Sequence, residues 1–422
     1  MSDQNKRRGP EPRSDAVEPP DDTRPRPSGG SSLWGRRTGR RIPGEAGEAS
    51  GFPGVRLAGA RGAGAAAALA DRIFPSRAPL SRKPFDILAV SGGAAGGAFG
   101  AGLLAGLSRT GRRPSFELVT GVSTGALIAP FAFLGSAWDN RLVEAYTGGH
   151  AAALFDVRKA LPGLEAGLFR ARALDALIAP FVDADLLRAV AAAHAEGRRL
   201  FVATTDLDRQ QACLWDMGLI ARLGEDGDLD AALLLFRTVL AASASLPGMF
   251  PPRLINCESV GRSYQEMHAD GGLAAPLFLL PDALMSWPGV RGRLSGARVH
   301  LLINTALDAA PRATPGNIPA ILVRSFETIL RYSYLQAVGA TQAFCAGANL
   351  PLGVASMSGD GDPLNLVSFE RPTCVRCSPP AWRGAPVRNR GRLRTTRRIR
   401  RPAWRCGTGR GADWRYAGES ST

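Results

Sequence analysis

Two short apolar runs in this chain each break into a turn of small residues and then into a second apolar stretch. That repeated pattern restricts the fold more than any other feature. The first run is Phe85-Asp-Ile-Leu-Ala-Val90, followed by Ser91-Gly92-Gly93-Ala94-Ala95-Gly96-Gly97 and an apolar stretch to about Leu107. The second covers 116–120, followed by Gly121-Val122-Ser123-Thr124-Gly125 and apolar residues at 126–134. An apolar run that does not alternate with polar residues predicts a strand covered on both faces. Helical stretches are predicted near 138–155, 171–195 and 229–243, and further strands at 200–204 and 298–304. Strands alternating with helices predict an α/β fold, a mostly parallel central sheet with helices on both faces. No internal repeat is present.

Charge divides the chain into three. The net charge of the 422 residues is +15, yet residues 85–370 carry −4, while 1–84 carry +7 and 371–422 carry +12. The expected organisation is a disordered basic extension at 1–84, one domain at 85–370, and an Arg-rich irregular tail at 371–422. Residues 1–50 hold almost no large aliphatic side chains and cannot bury enough apolar surface to offset the cost of ordering. The Ala-rich run at 62–70 lies too far from Met1 for a signal peptide. The tail has 14 Arg, no Lys and no periodicity, the texture expected of a frame-shifted reading of a GC-rich gene. A mildly acidic core excludes a basic nucleic-acid groove, so no specific nucleic-acid partner is expected. The basic ends leave peripheral contact with anionic lipid open. No transmembrane run and no signal peptide are recognised, which points to a cytoplasmic protein. Six Cys do not make a disulfide framework, and Cys374-x-x-Cys377 has no second pair or nearby His for zinc. No metal and no cofactor are expected. The oligomeric state cannot be read.

Chemistry concentrates at three places. Gly121-Val122-Ser123-Thr124-Gly125 sits between a predicted strand and a predicted helix, the setting of a nucleophile elbow. Its small flanking residues permit a tight turn that exposes the Ser123 hydroxyl, and the following helix N-terminus favours negative charge there. The loop of Gly92, Gly93, Ala94, Ala95, Gly96 and Gly97 lets backbone N–H groups converge without side chains in the way, which suits an oxyanion or a phosphate. A dinucleotide fingerprint competes weakly through Gly100-Ala-Gly102-Leu-Leu-Ala105, which lies inside a helix, and no P-loop pattern occurs. The third place is Asp270-Gly271-Gly272, where a carboxylate ahead of two glycines can face a site and take the serine proton. His268 and His300 are the competing bases, each more readily a packed core residue. The apolar stretch 127–134 reads as core rather than as a lipid channel.

These three motifs, in this order, resemble the patatin-like phospholipase family. Ala203-Thr-Thr-Asp-Leu207, the stretch from Ala242 through Ser243 to Pro252, and Pro276 look similar as well. The resemblance covers about 85–370. It implies a three-layer patatin-like fold and a lipid acyl hydrolase of phospholipase A or lipase type. The implied machinery is a Ser123–Asp270 dyad, an acyl-enzyme, an oxyanion hole in the 92–97 loop, and no metal. The implied partner is a lipid or ester substrate. The alternative is a lipid-binding or membrane-associated protein with a degenerate site. Two departures stand out. The family's third glycine is Ala94 here, which is tolerable unless φ is positive, and its basic loop residue is Gly96. Neutral glycerides and simple esters therefore stay open beside phospholipids.

Overall fold

The computed structural model describes residues 42–57, 63–75, 85–148, 171–308 and 311–357. Among the described residues, ten strands form one sheet. They are β1 Glu48–Ala49, β2 Arg56–Leu57, β3 Phe85–Val90, β4 Leu118–Val122, β5 Arg199–Asp206, β6 Gln211–Asp216, β7 Arg253–Ser259, β8 Arg262–Asp270, β9 Ala297–Ala306 and β10 Leu352–Met357. The helices are α1 Ala63–Ile73, α2 Gly97–Arg109, α3 Thr124–Leu134, α4 Asp139–Thr147, α5 Ala171–Ile178, α6 Ala184–Ala195, α7 Met217–Asp226, α8 Leu229–Ser243, α9 Asp282–Met285, α10 Val290–Arg293 and α11 Ile318–Ala348.

The parallel heart of the sheet runs β10-β9-β3-β4-β5. Its side chains alternate between two cores. Leu88, Val90, Val119, Leu200 and Val202 pack with α2, α3 and α6 to α8 on one face. Ile87, Ala89, Leu118, Phe201 and Ala203 pack with α1 and with Leu277–Leu280, α9 and α10 on the other. Both faces are covered, so these strands read as continuous apolar runs. The mixed α/β architecture with helices on both faces is as expected.

Antiparallel strands complete the sheet beyond β5. β6 runs along one edge of β5, Phe201 to Asp206 pairing with Asp216 to Gln211. On the opposite edge β4 pairs with Arg199 to Ala203, and β8 takes over at Thr204 to Asp206. The chain ends of β4 and β8 therefore abut along one edge of β5, at Val122 and Asp270. This join places the site.

Two parts of the organisation differ from expectation. Within the stretch expected to be a disordered extension, β1 pairs with β7, β2 pairs with β6, and α1 buries Ala66, Leu69, Ala70 and Ile73. The i, i+3, i+4, i+7 spacing makes α1 an amphipathic helix, a signal hidden by averaging composition over 84 residues. Arg56 also anchors the segment, its guanidinium reaching Glu266 at 2.9 Å and the Gly47 carbonyl at 2.5 Å. Second, the 31-residue α11 and the strands β6, β7, β8 and β10 went unread. Residues 1–41 and the tail 371–422, with its expected irregularity and frame shift, lie outside the described residues. No described helix is long and apolar enough to cross a membrane.

Candidate active site

Ser123 is the single residue between β4 and α3, with φ 56° and ψ −128°. A left-handed φ is costly for a residue with a β-carbon, so the surroundings must hold it there. Gly125 lets α3 start hard against β3, because a β-carbon at 125 would overlap the carbonyl oxygens of Val90 and Ser91. Gly121 makes similar room for Ala129. From behind, the Ser123 N–H donates to Ser243 Oγ at 2.9 Å, and the Ser243 hydroxyl donates to the Ala203 carbonyl at 2.7 Å. Ser243, the last residue of α8, is fully buried.

Asp270 ends β8. Its Oδ2 accepts the Ser123 hydroxyl at 2.6 Å, and its Oδ1 accepts the Gly272 N–H at 2.7 Å. Its backbone is fixed on both sides, the N–H donating to the Ser245 carbonyl and the carbonyl accepting the Thr205 hydroxyl. Gly271 has no room for a side chain, since a β-carbon would overlap the Ala203 carbonyl oxygen. Asp270 is 2% exposed. Burial pushes its carboxyl up to about 6, against the opposing hydrogen bonds from Ser123 and Gly272. A hydroxyl bonded to a buried carboxylate of that basicity can surrender its proton as it attacks an electrophile.

The glycine-rich turn lies over the hydroxyl. A β-carbon on Gly92 would fall 2.9 Å from Ser123 Cβ and 2.7 Å from the Tyr334 hydroxyl. Asn304, at the end of β9, pins the turn by donating from its N–H to Ser91 Oγ and from Nδ2 to the Ser91 carbonyl. Its own carbonyl oxygen presses so closely that Gly93, with φ 150°, and Gly96 have no space for a β-carbon. The missing basic residue at 96 is therefore a steric requirement of this chain. Ala94 has φ 47°, the condition under which alanine is strained there. Residues 94–96 form one 3-10 turn that leads into α2 at Gly97, beside Thr124.

A cleft of about 1120 Å³, open mouth included, runs from this pair into the protein. Leu127, Phe131, Leu177, Phe181, Leu240 and Leu246 are among its apolar lining, and among the described residues no Lys, Arg or His lines it. Leu127 and Phe131 correct the reading of 127–134 as core alone: these two face the cleft. Tyr334 of α11 closes one wall, and burial together with the charge of Asp270 pushes its hydroxyl pKa up. Tyr146 donates to or accepts from Thr124 Oγ1 at 3.0 Å on another wall.

All the expected site residues gather here: Ser123, Asp270, the 92–97 turn, Gly121, Gly125, Gly271 and Gly272. The competing bases do not. His300 meets Asp86 at 2.7 Å inside β9, and His268 meets Thr204 and Glu266. Gly100 packs against Asn304 Oδ1 in mid-helix, as a structural glycine does. Sequence reading missed the positions of Ser243, Asn304 and Tyr334. The first two stood in recognised stretches, but nothing marked what they touch.

Residues 88–281 match the family model for patatin-like phospholipase. No curated protein matches the chain significantly. Among solved structures, VipD from Legionella pneumophila is similar at 13% identity and a TM-score of 0.30, over 53% of this chain and 50% of that one. The chain therefore aligns with only half the length of that protein, a likeness too slight to carry an argument.

Proposed function

We propose that the patatin-like phospholipase domain found at 88–281 makes this protein a serine acyl hydrolase of lipid esters, with Ser123 as nucleophile and Asp270 as general base. One observation carries the reading: Ser123 Oγ lies 2.6 Å from Asp270 Oδ2 at the head of an apolar cleft.

The cleft takes the acyl chain and brings its ester carbonyl to Ser123. Asp270 accepts the hydroxyl proton as Oγ attacks, and the backbone N–H groups around Gly93, Ala94 and Ala95 hold the oxyanion. The alcohol leaves with the proton returned by Asp270. Water then gives a proton to Asp270 as it attacks the acyl carbonyl, and the bond to Oγ breaks to release the fatty acid as Asp270 returns the proton to Ser123. The buried position of Asp270 suits it to both transfers, because a carboxyl raised to about 6 is a stronger base than an exposed one. The apolar lining of described residues favours recognition through the acyl chain, so long-chain esters are the expected substrates, neutral glycerides and simple esters beside phospholipids. An intact Ser–Asp contact favours turnover over lipid binding by a degenerate site.

Hydrolysis of p-nitrophenyl esters of graded chain length tests this. Wild type is expected to turn over, with preference for longer acyl groups. Ser123→Ala is expected to lose about 10³-fold or more in kcat. Equal rates for the two proteins would end the proposal.

A further inference from the structure

The first half of α11 is apolar on both sides. At 100° per residue, Ile318, Ile321, Leu322, Ile329 and Tyr332 share one side of the helix. The buried stripe of Glu327, Leu330, Tyr334 and Val338 occupies the opposite side. A surface helix ordinarily turns polar residues outward. Here Ile318 is 74% exposed, Leu322 and Ile329 63% each, and Tyr332 57%. No charge interrupts the outward stripe, because Arg324, Glu327 and Arg331 all fall off it. Beyond Tyr332 the same side passes to Gln336, Gly339 and Ala340, so the apolar patch stops there. Exposed Ser325 is the one polar side chain within the stripe, and exposed apolar surface of this extent marks an interaction site.

Two further observations identify the occupant. The half of the helix that is apolar outside is the half whose inner side lines the cleft, through Leu330 and Tyr334. The helix therefore stands between this face and the site that holds Ser123, with the stripe on its outer side and the cleft wall on its inner side. The flank is also basic. Between 311 and 332 the chain carries Arg312, Arg324 and Arg331 against one carboxylate, Glu327, which Arg312 and Arg324 both contact. An apolar stripe flanked by net positive charge is complementary to a lipid–water interface with anionic headgroups.

We propose that the outward face of α11 from Ile318 to Tyr332 seats the protein on an anionic lipid surface, so that the cleft draws its ester from that surface. The proposal rests on the reading of the cleft as a lipid-ester site, and its test separates the two.

The experiment uses the full chain and the double variant L322E/I329E, both changes at exposed positions, with retention of fold checked by thermal melting. Partition onto phosphatidylcholine vesicles containing phosphatidylglycerol is measured alongside hydrolysis of p-nitrophenyl butyrate in free solution. The variant is expected to lose about tenfold or more in vesicle partition, since two large apolar side chains leave the interface and two negative charges enter it. Its rate on the soluble ester is expected to match wild type. Equal partition of the two proteins overturns the proposal. A wild-type dimer that the variant dissociates in the ultracentrifuge also overturns it, and assigns the face to a second copy. If wild type and Ser123→Ala are equally inert on the soluble ester, the hydrolase reading fails, while the partition difference still decides the docking.

Discussion

Glu266 and Asp270 lie four residues apart on the same face of β8, both out of solvent, and they meet opposite surroundings. Burial alone would raise the Glu266 carboxyl. The hydrogen bond from His268, the charge of Arg56 and the hydroxyl of Tyr264 overcome that and bring it down to about 2. Arg209 adds a second guanidinium at 2.7 Å. Asp270 has only a serine hydroxyl and one backbone amide, and burial brings it up to about 6. The two groups show how one strand can carry both a structural and a reactive carboxylate. A partnered charge is a tie, and a solitary one is a base. Glu266 ties β8 to β2 and, through Arg209, to the Pro43 and Glu45 carbonyls. Asp270 ties nothing distant except Ser123.

The largest effect expected from this contrast is on catalysis. Asp270→Asn should lower ester hydrolysis about 10³-fold or more, yet leave the protein at least as stable as wild type at pH 8. A destabilised Asp270→Asn with full activity would collapse the distinction. Glu266→Gln should do the reverse. It leaves Arg56 and Arg209 without their shared anion, at a cost of about 3–5 kcal/mol in urea unfolding, while each folded molecule keeps its turnover.

The pH dependence sharpens the same contrast. Because the native Asp270 carboxyl is raised from 3.8 to about 6, its contribution to stability is present below about pH 4 and is lost as pH rises through 6. Asp270→Asn should therefore gain on wild type in thermal melting, by about 1.4 kcal/mol for each pH unit crossed between about 4 and 6, with little further change up to pH 8. The wild-type kcat/KM should fall about tenfold per pH unit below about 6 as the base is protonated. Glu266, lowered from 4.5 to about 2, contributes stability that is present above 4.5 and is lost as pH falls through 2. Comparing Glu266→Gln with wild type from about pH 5 to about pH 2 should show their difference shrink.

The smallest effect concerns the backbone over the dyad. Ala94 holds φ 47° where the patatin-like family that the motifs resemble has glycine. Ala94→Gly should stabilise the protein by about 0.5–1 kcal/mol, the left-handed penalty less the added freedom of glycine, measured by urea unfolding. A loss of stability would show that the alanine methyl packs usefully over the site.

Legibility followed distance along the chain. The strand–turn–helix units around Gly92–Gly97 and Ser123 were readable because a tight turn needs small residues at adjacent positions. Boundaries moved by about two residues. β4 runs on to Val122 because its last residues pair as Gly121↔Val202 and Val122↔Ala203, with a segment far along the chain. β6, β7 and β8 were missed because their outward faces carry mixed polar residues that weaken the alternation, as in Arg262-Ser-Tyr-Gln-Glu. The structure of 42–57 and 63–75 was missed because a few buried side chains, among them Phe52, Val55, Leu69 and Ile73, are diluted by Gly, Pro and Arg.

Local pattern was sufficient to name Ser123, Asp270 and the glycine-rich turn, because each motif is a short-range steric requirement that the chain satisfies with its own neighbours. It could not bring the hydroxyl and the carboxylate together across 147 residues; the replacement of β4 by β8 along one edge of β5 does that. Nor could it say which buried carboxylate stands alone, which apolar side chains from separate helices line one cleft, or that α11 presents apolar residues inward and outward at once. Those properties are sums over groups distant in the chain and near in space, so they exist only once the sheet and its two helical layers have closed around them.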